Sequence, residues 1–126
     1  MDATAIDSPE APSSPFFAQA IEVVGARRLL FTSGLTPTVG EWVAPEGFDA
    51  QAQIAWRNLF AQLSAAGMTP SNLVKVTIYL ADRGYRRASA EAFDAALEGR
   101  RIAVSTIVTG LIDEHWLIEI EAVAAD

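Results

Sequence analysis

The stretch Leu117-Ile-Glu-Ile-Glu-Ala-Val-Ala124 alternates between apolar and other side chains and predicts the closing strand of a β-sheet. Successive side chains of a strand face opposite ways. One face therefore carries only apolar residues and is predicted to lie on the core: Ile118, Ile120, Ala122 and Ala124. The other face carries Glu119 and Glu121. Because a carboxylate taken out of water needs a polar or charged partner, this face is either open to solvent or covered by polar groups, another subunit or a ligand.

Working outward from this strand, the sequence alternates strands with two helices. Apolar residues recur at helical spacing in 49–66 and 85–99, and Gly67 and Gly99 supply helix stops. The segments 16–24 and 28–33 are predicted to be strands joined as a hairpin, and 41–43 a short edge strand. Three further strands are predicted at 72–80, 102–108 and 117–124. This order predicts an α+β fold, a two-layer sandwich with both helices on one face of a mixed sheet. The uncovered face is suited to packing against copies of the same chain.

Composition excludes several classes of function. The chain has 126 residues, enough for one domain, and its 16 acids and 9 bases give a net charge of -7. That charge repels the phosphates of nucleic acids and of anionic membranes, so neither is expected as a partner. The absence of cysteine and the single histidine exclude disulfides, a cysteine nucleophile and a multi-histidine metal site within one subunit. No metal is predicted.

Residues 1–15 are rich in alanine, serine, proline and aspartate. This composition predicts a flexible N-terminal arm ahead of a folded domain at 16–126. The segment lacks the basic start and the apolar centre of a signal peptide, so a cytoplasmic location is expected.

A family resemblance is carried by segments spread in order along the chain. They are Phe17-Ala-Gln-Ala20, Phe31-Thr-Ser-Gly34, Pro37-Thr-Val-Gly-Glu41, Leu63-Ser-Ala-Ala-Gly67, Leu73-Val-Lys-Val-Thr-Ile-Tyr-Leu-Ala-Asp82, Ser105-Thr106 and Ile118-Glu-Ile-Glu-Ala-Val-Ala124. Together they resemble the RidA/YjgF family of reactive intermediate deaminases. The resemblance implies a chorismate-mutase-like homotrimer with ligand clefts between subunits. It also implies hydrolysis of imines and enamines of small molecules without a cofactor.

The resemblance also implies which residues form the site. Glu119 occupies the position of the family's catalytic glutamate, Ser33 and Gly34 match the polar pair that closes a strand, and Ser105 matches a site serine. The family's substrate-anchoring arginine, however, is replaced by Val104. Three further positions of the family's pattern differ, with Ile102 in place of a proline, Phe17 in place of an aromatic hydroxyl and Thr106 in place of a frequent cysteine.

The loss of the arginine changes the expected substrate. A guanidinium binds a carboxylate through two parallel hydrogen bonds, and a valine offers neither charge nor donor. Losing such a partner in a buried site costs on the order of 2–5 kcal/mol of binding, so a simple 2-imino acid is not the expected substrate. Arg100 or Arg101 could replace the anchor, although strand alternation makes this the lesser alternative. A more apolar cleft suits a neutral or aromatic small molecule and would raise the pKa of Glu119.

Other candidates have simpler interpretations. Lys75 is predicted to pair with Glu119 or Glu121, a Schiff-base lysine being the alternative, and His115 is predicted to be an ordinary surface residue. The tryptophans at 42, 56 and 116 are interpreted as packing residues. Two functions stay open. One is a divergent cofactor-free enzyme that hydrolyses or tautomerises an imine or enamine, and the other is a non-catalytic trimer that binds a metabolite or a partner protein in the same clefts.

Overall fold

A computed structural model describes all residues from 1 to 126. It contains six strands and two α-helices, in the order β1 (Asp2–Ile6), β2 (Ala20–Val24), β3 (Leu29–Phe31), α1 (Phe48–Ala65), β4 (Leu73–Leu80), α2 (Arg86–Leu97), β5 (Ala103–Val108) and β6 (Ile118–Ala125). Short 3-10 turns at Pro70–Asn72 and Arg83–Tyr85 precede β4 and α2. No helix is both long enough and apolar enough to cross a membrane.

Four strands form the main sheet, in the order β3-β6-β4-β5. β4 and β5 are parallel and are joined through α2, while β6 runs antiparallel to β4 and to β3. The sheet is therefore mixed, as predicted. β3 and β5 are its two opposite edges, and the glutamate-bearing strand β6 lies inside it.

The core lies between the two helices and one face of this sheet. β6 contributes Ile118, Ile120, Ala122 and Ala124, and β4 contributes Leu73, Val76, Ile78 and Leu80, all nearly inaccessible to solvent. Leu59 and Leu63 of α1 and Phe93 and Leu97 of α2 pack against them. The α+β prediction and the core face of the last strand are confirmed. Gly67, with φ of 71°, takes the left-handed conformation that favours glycine and follows the end of α1, as predicted.

Three local predictions are wrong. The strands β2 and β3 do not form a hairpin, because β2 pairs with β1 and β3 pairs with β6. The residues 41–43 form no strand, since Gly40 and Trp42 adopt positive φ values of 52° and 66° that produce a turn with a single bridge from Val39 to Val43. Trp42 is 70% exposed and so is not a packing residue in the protomer, unlike Trp56, which is 4% exposed.

The N-terminal segment also differs from the expected arm. Asp2–Ile6 forms a strand whose backbone pairs along the whole of β2, although all five of its side chains are exposed. Arg101 donates to the Asp7 carboxylate at 2.7 Å and to the carbonyls of Ser14 and Phe17 at 2.9 and 3.0 Å. The segment is thus attached by backbone pairing and one arginine, neither of which requires an apolar pattern in the sequence. That an independent domain begins at residue 16 stays a prediction.

Candidate functional site

Glu119 and Glu121 lie on the sheet face that the helices leave uncovered. In the pairing of β4 with β6, Tyr79 is opposite Glu119 and Thr77 is opposite Glu121. The pairing of β4 with β5 places Ser105 beside Thr77 on this same face. Strand alternation therefore creates a polar surface opposite the apolar core. This surface is built from the central strands β4 and β6 and the edge strand β5.

Glu119 is half-buried and reaches over the backbone at the end of β3. A Cβ atom on Gly34 would lie 2.2 Å from Oε2 of Glu119, so only glycine leaves room for the carboxylate in this position. Burial raises the pKa of Glu119 above its ordinary value, and the charge of Glu121 raises that pKa further. No hydrogen bond or ion pair opposes these effects. Glu119 and Gly34 are thus in direct contact, and their role in a common site stays a prediction.

Glu121 has a partner that Glu119 lacks. The hydroxyl of Tyr79 donates a hydrogen bond of 2.7 Å to Oε1 of Glu121. This bond is the main reason that the pKa of Tyr79 is raised, with burial and the charges of Glu121 and Glu119 adding to the effect. The alternation of β4 places Tyr79 on the outer face, but a diagonal bond to Glu121 depends on the strand register, which the sequence did not provide.

Lys75 does not form the predicted ion pair with either glutamate. Its Nζ donates instead to Oγ of Ser105 at 2.7 Å. The bond crosses from β4 to β5 and leads away from β6. His115 is exposed and pairs only with its neighbour Asp113, as a surface residue would.

The remaining predicted site residues gather at the opposite edge of the sheet. Val104 is in register with the buried Val76, so it lies on the helix-facing side and packs at the margin of the core. Thr106 lies on the same side of the sheet, opposite the buried Ile78, but is itself exposed. Phe17 precedes Ala18, which bridges to the start of β5 at Ala103. Within one protomer, β4 and β6 separate this group from Ser33 and Gly34 beyond β3, and Val104 faces away from Glu119.

Both arginines that could have replaced the missing anchor are engaged elsewhere. Arg100 donates to the carbonyls of Pro70 and Leu73 at 2.6 and 3.3 Å. Arg101 holds the N-terminal segment through Asp7. Neither guanidinium is free to bind a carboxylate of a ligand in this arrangement.

A groove of about 560 Å³ runs beside the free edge of β3. Its lining includes Ser33 and Gly34, the aromatic rings of Phe31 and Trp42, and the amides of Asn58 and Gln62. None of its twelve lining residues is ionisable, although the chain as a whole carries a net charge of -7. The sequence pattern does not indicate this groove, because its walls come from β3, from the turn after it and from one side of α1.

Comparison with known proteins gives a consistent picture. A family model described as Endoribonuclease L-PSP matches residues 8–126. A RutC family protein of Aquifex aeolicus is 33% identical over 123 residues, which cover 94% of this chain and 96% of that protein. The 2-iminobutanoate/2-iminopropanoate deaminase of Mus musculus is 31% identical over 108 residues, 86% of this chain and 79% of that protein. The crystal structure of a protein of unknown function of the conserved Rid protein family from Yersinia pestis superposes with a TM-score of 0.86 at 31% identity and covers the whole of both chains.

Proposed function

The chain belongs to the RidA/YjgF family, and from this premise we propose that it is a cofactor-free enzyme that hydrolyses or tautomerises an imine or enamine of a small molecule other than a simple 2-imino acid. The observation that carries this proposal is the state of Glu119. Its carboxyl group is half-buried, has no hydrogen-bond partner and is placed against Gly34, and burial together with the charge of Glu121 raises its pKa above the ordinary value, which makes its carboxylate a stronger base.

The proposed reaction needs only a group that takes up and returns protons. The oxygen of a water molecule bonds to the carbon of the C=N group while the carboxylate of Glu119 accepts a proton from that water. Glu119 then returns the proton to the nitrogen, which gives a carbinolamine. Glu119 next accepts the proton of the carbinolamine hydroxyl group and passes it to the nitrogen, so that the C–N bond breaks, ammonia leaves and a carbonyl remains. Tautomerisation uses the same group to move a proton between nitrogen and carbon.

Three observations support a substrate without a carboxylate. Position 104 is a valine, Arg100 and Arg101 are bound to other parts of the chain, and the groove beside Ser33 and Gly34 has no ionisable lining residue. Neutral hydroxyl and amide groups between aromatic rings suit a neutral, flat ligand. In this proposal Ser33 and Gly34 contact the substrate beside Glu119.

A homotrimer with ligand clefts between subunits would join the two halves of the predicted site. Phe17, Val104, Ser105 and Thr106 lie at the β5 edge, whereas Ser33, Gly34 and Glu119 lie toward the β3 edge. Groups at opposite edges of one sheet can share a ligand only when a second copy brings its β5 to the first copy's β3. The exposed apolar side chains on these edges, Leu29 and Phe31 on β3 and Ile107 on β5, agree with such an interface.

The second candidate is a non-catalytic trimer that binds a metabolite or partner protein in the same clefts. The replacement of the anchoring arginine by Val104 favours this candidate, since binding requires no conversion of the ligand.

RNA cleavage, which the description of the family model names, is not proposed. The net charge of -7 and the uncharged groove offer RNA phosphates no cationic partner.

Activity measured on two classes of imine tests the proposal. One class is generated from neutral amines by an amine oxidase and the other from amino acids by an amino acid oxidase, and semicarbazide traps the imine that remains. We expect the wild type to accelerate loss of the neutral imines, and Glu119→Gln to lower kcat/KM by about 10²-fold or more. Full activity in Glu119→Gln would overturn the role of Glu119.

A folding control accompanies this test. Because the folded-state pKa of Glu119 is raised, its protonated form stabilises the fold at low pH, and that stability is lost as the pH rises through the folded-state pKa. Glu119→Gln is therefore expected to melt no lower than the wild type at pH 7 to 8.

If no imine is consumed by the wild type, Val104→Arg separates the two candidates. New activity on 2-iminopropionate would show an intact catalytic apparatus with altered specificity, and its absence would favour the binding function.

A further inference from the structure

The two carboxylates of β6 differ in their partners, although they are only two residues apart on one face. Glu121 accepts a hydrogen bond from the Tyr79 hydroxyl at 2.7 Å, whereas Glu119 accepts none. A hydroxyl that donates to a carboxylate stabilises its ionised form. A carboxylate that is held beside a half-buried carboxyl group disfavours ionisation of that neighbour.

We infer that Tyr79 is a positioning residue, which holds the carboxyl group of Glu121 beside Glu119 through its hydrogen bond and thereby favours uptake of a proton by Glu119. The inference rests on the proposed function in taking Glu119 as the acid and base of the site. Tyr79 itself does not exchange a proton in this arrangement. Its phenol stays protonated, because the hydrogen bond to Glu121 raises its pKa.

The other groups around Glu119 do not supply the negative charge that raises its pKa. β4 contributes one further ionisable side chain, Lys75, whose Nζ is bonded to Ser105. The residue after β3 that approaches Glu119 is Gly34, which has no ionisable side chain. β5 presents no ionisable side chain on any of its residues, Ala103 to Val108. Glu121 is therefore the charge that acts on Glu119, and Tyr79 is the side chain that holds Glu121 by a hydrogen bond.

Removing the hydroxyl should act on Glu119 through Glu121. In Tyr79→Phe, the carboxylate of Glu121 loses its donor and can turn toward solvent, where water screens its charge from Glu119. The pKa of Glu119 should then fall. Glu121→Gln removes the charge itself and should lower the pKa of Glu119 as well, with only burial left to raise it.

Carboxyl-detected NMR of protein labelled with carbon-13 at the glutamate side-chain carboxyl tests this directly. Glu119→Gln and Glu121→Gln each lack one resonance and so assign the pair. We expect the titration midpoint of Glu119 to move to lower pH in Tyr79→Phe and in Glu121→Gln. Tyr79→Phe added to Glu121→Gln should move it no further, because the two changes act through one interaction. The chain's second tyrosine, Tyr85, stacks on Phe48 away from the pair, so Tyr85→Phe is the matched control and should leave the midpoint unchanged.

A Glu119 midpoint that is the same in Tyr79→Phe as in Tyr85→Phe would overturn the inference. An unchanged midpoint in Glu121→Gln would overturn it independently, even if Tyr79→Phe did not fold. The titration needs no substrate, so the outcome is separate from the proposed function. If the midpoints move as expected but no imine is consumed, the enzymatic proposal fails and the role of Tyr79 stands. If imines are consumed and the midpoints do not move, the role of Tyr79 fails and the enzymatic proposal stands.

Discussion

Gly34→Ala places a methyl group where the carboxylate of Glu119 now lies. The added Cβ would be 2.2 Å from Oε2 and 2.8 Å from Cδ of Glu119, while ordinary van der Waals contact begins at 3.4 Å. The carboxylate must therefore move by at least about 1.2 Å, as the difference between these distances requires. The backbone at Gly34 is not in the left-handed region, so alanine itself brings no conformational strain.

The displacement should separate activity from stability. A shift of about 1 Å in a catalytic group can cost about 10²-fold in rate, and we expect a loss of that size in kcat/KM toward neutral imines. The clashing atoms are at the far end of a flexible, half-buried side chain that can turn toward water. The free energy of unfolding should therefore change by no more than about 1 kcal/mol.

Three measurements check this prediction. They are kcat/KM in the imine assay, the melting temperature, and the titration midpoint of Glu119, which should fall because a displaced carboxylate is better hydrated. Gly110→Ala is the matched control, since a Cβ at Gly110 meets nothing within 4 Å and the residue also lies outside the left-handed region. Gly34→Ala with unchanged kcat/KM and an unchanged Glu119 midpoint would refute the placement of Glu119 against Gly34.

Two further predictions concern the structure around the site. Gln51 is 3% exposed, and its amide donates to the carbonyls of Pro45 and His115 and accepts from the N–H of Leu117. Gln51→Ala should therefore cost about 2–4 kcal/mol in chemical denaturation. The exposed Gln53→Ala on the same helix should cost under about 0.5 kcal/mol, and equal costs would contradict the role of Gln51. The backbone N–H of Gln19 and the guanidinium of Arg101 both bond to the Asp7 carboxylate and lower its pKa. The attachment of the N-terminal segment through Asp7 therefore contributes stability above the ordinary aspartate pKa of about 3.9, and this stability is lost as the pH falls through the lower folded-state pKa. Asp7→Asn at pH 7 should therefore speed amide exchange in β1, whereas Glu10→Gln, which has no ion pair, should not; equal exchange rates in the two variants would contradict the attachment.

The local and periodic features of this protein could be predicted from sequence. Both helices, the core face of β6 and the class of fold follow from apolar spacing, because a side chain's face is fixed by the backbone period wherever the element packs. The assignment of Glu119 to a site came from the ordered resemblance and stays a prediction, while its contact with Gly34 was found only in the structure.

Pairing between distant segments was decided only by the tertiary structure. The sequence placed β2 beside β3 because they are neighbours in the chain, but the backbone of β3 pairs with β6, and exposed residues near the N-terminus form a strand on β2. Backbone hydrogen bonds carry no side-chain signature, so a strand such as Asp2–Ile6 leaves no pattern to find. The Lys75 to Ser105 bond has a similar origin, since alternation gives the face of each residue but not its partner across the sheet.

The sequence by itself thus determined which residues face the core and that two carboxylates share the opposite face, because both depend on the two-residue period of a strand. The tertiary structure decided that these carboxylates are unequal. Tyr79 reaches Glu121 only through the register of β4 on β6, and Glu119 is left unpaired over Gly34 by the path of the chain after β3. Hydrogen bonding and burial set the protonation of a carboxyl group, and both depend on segments that are far apart in the chain.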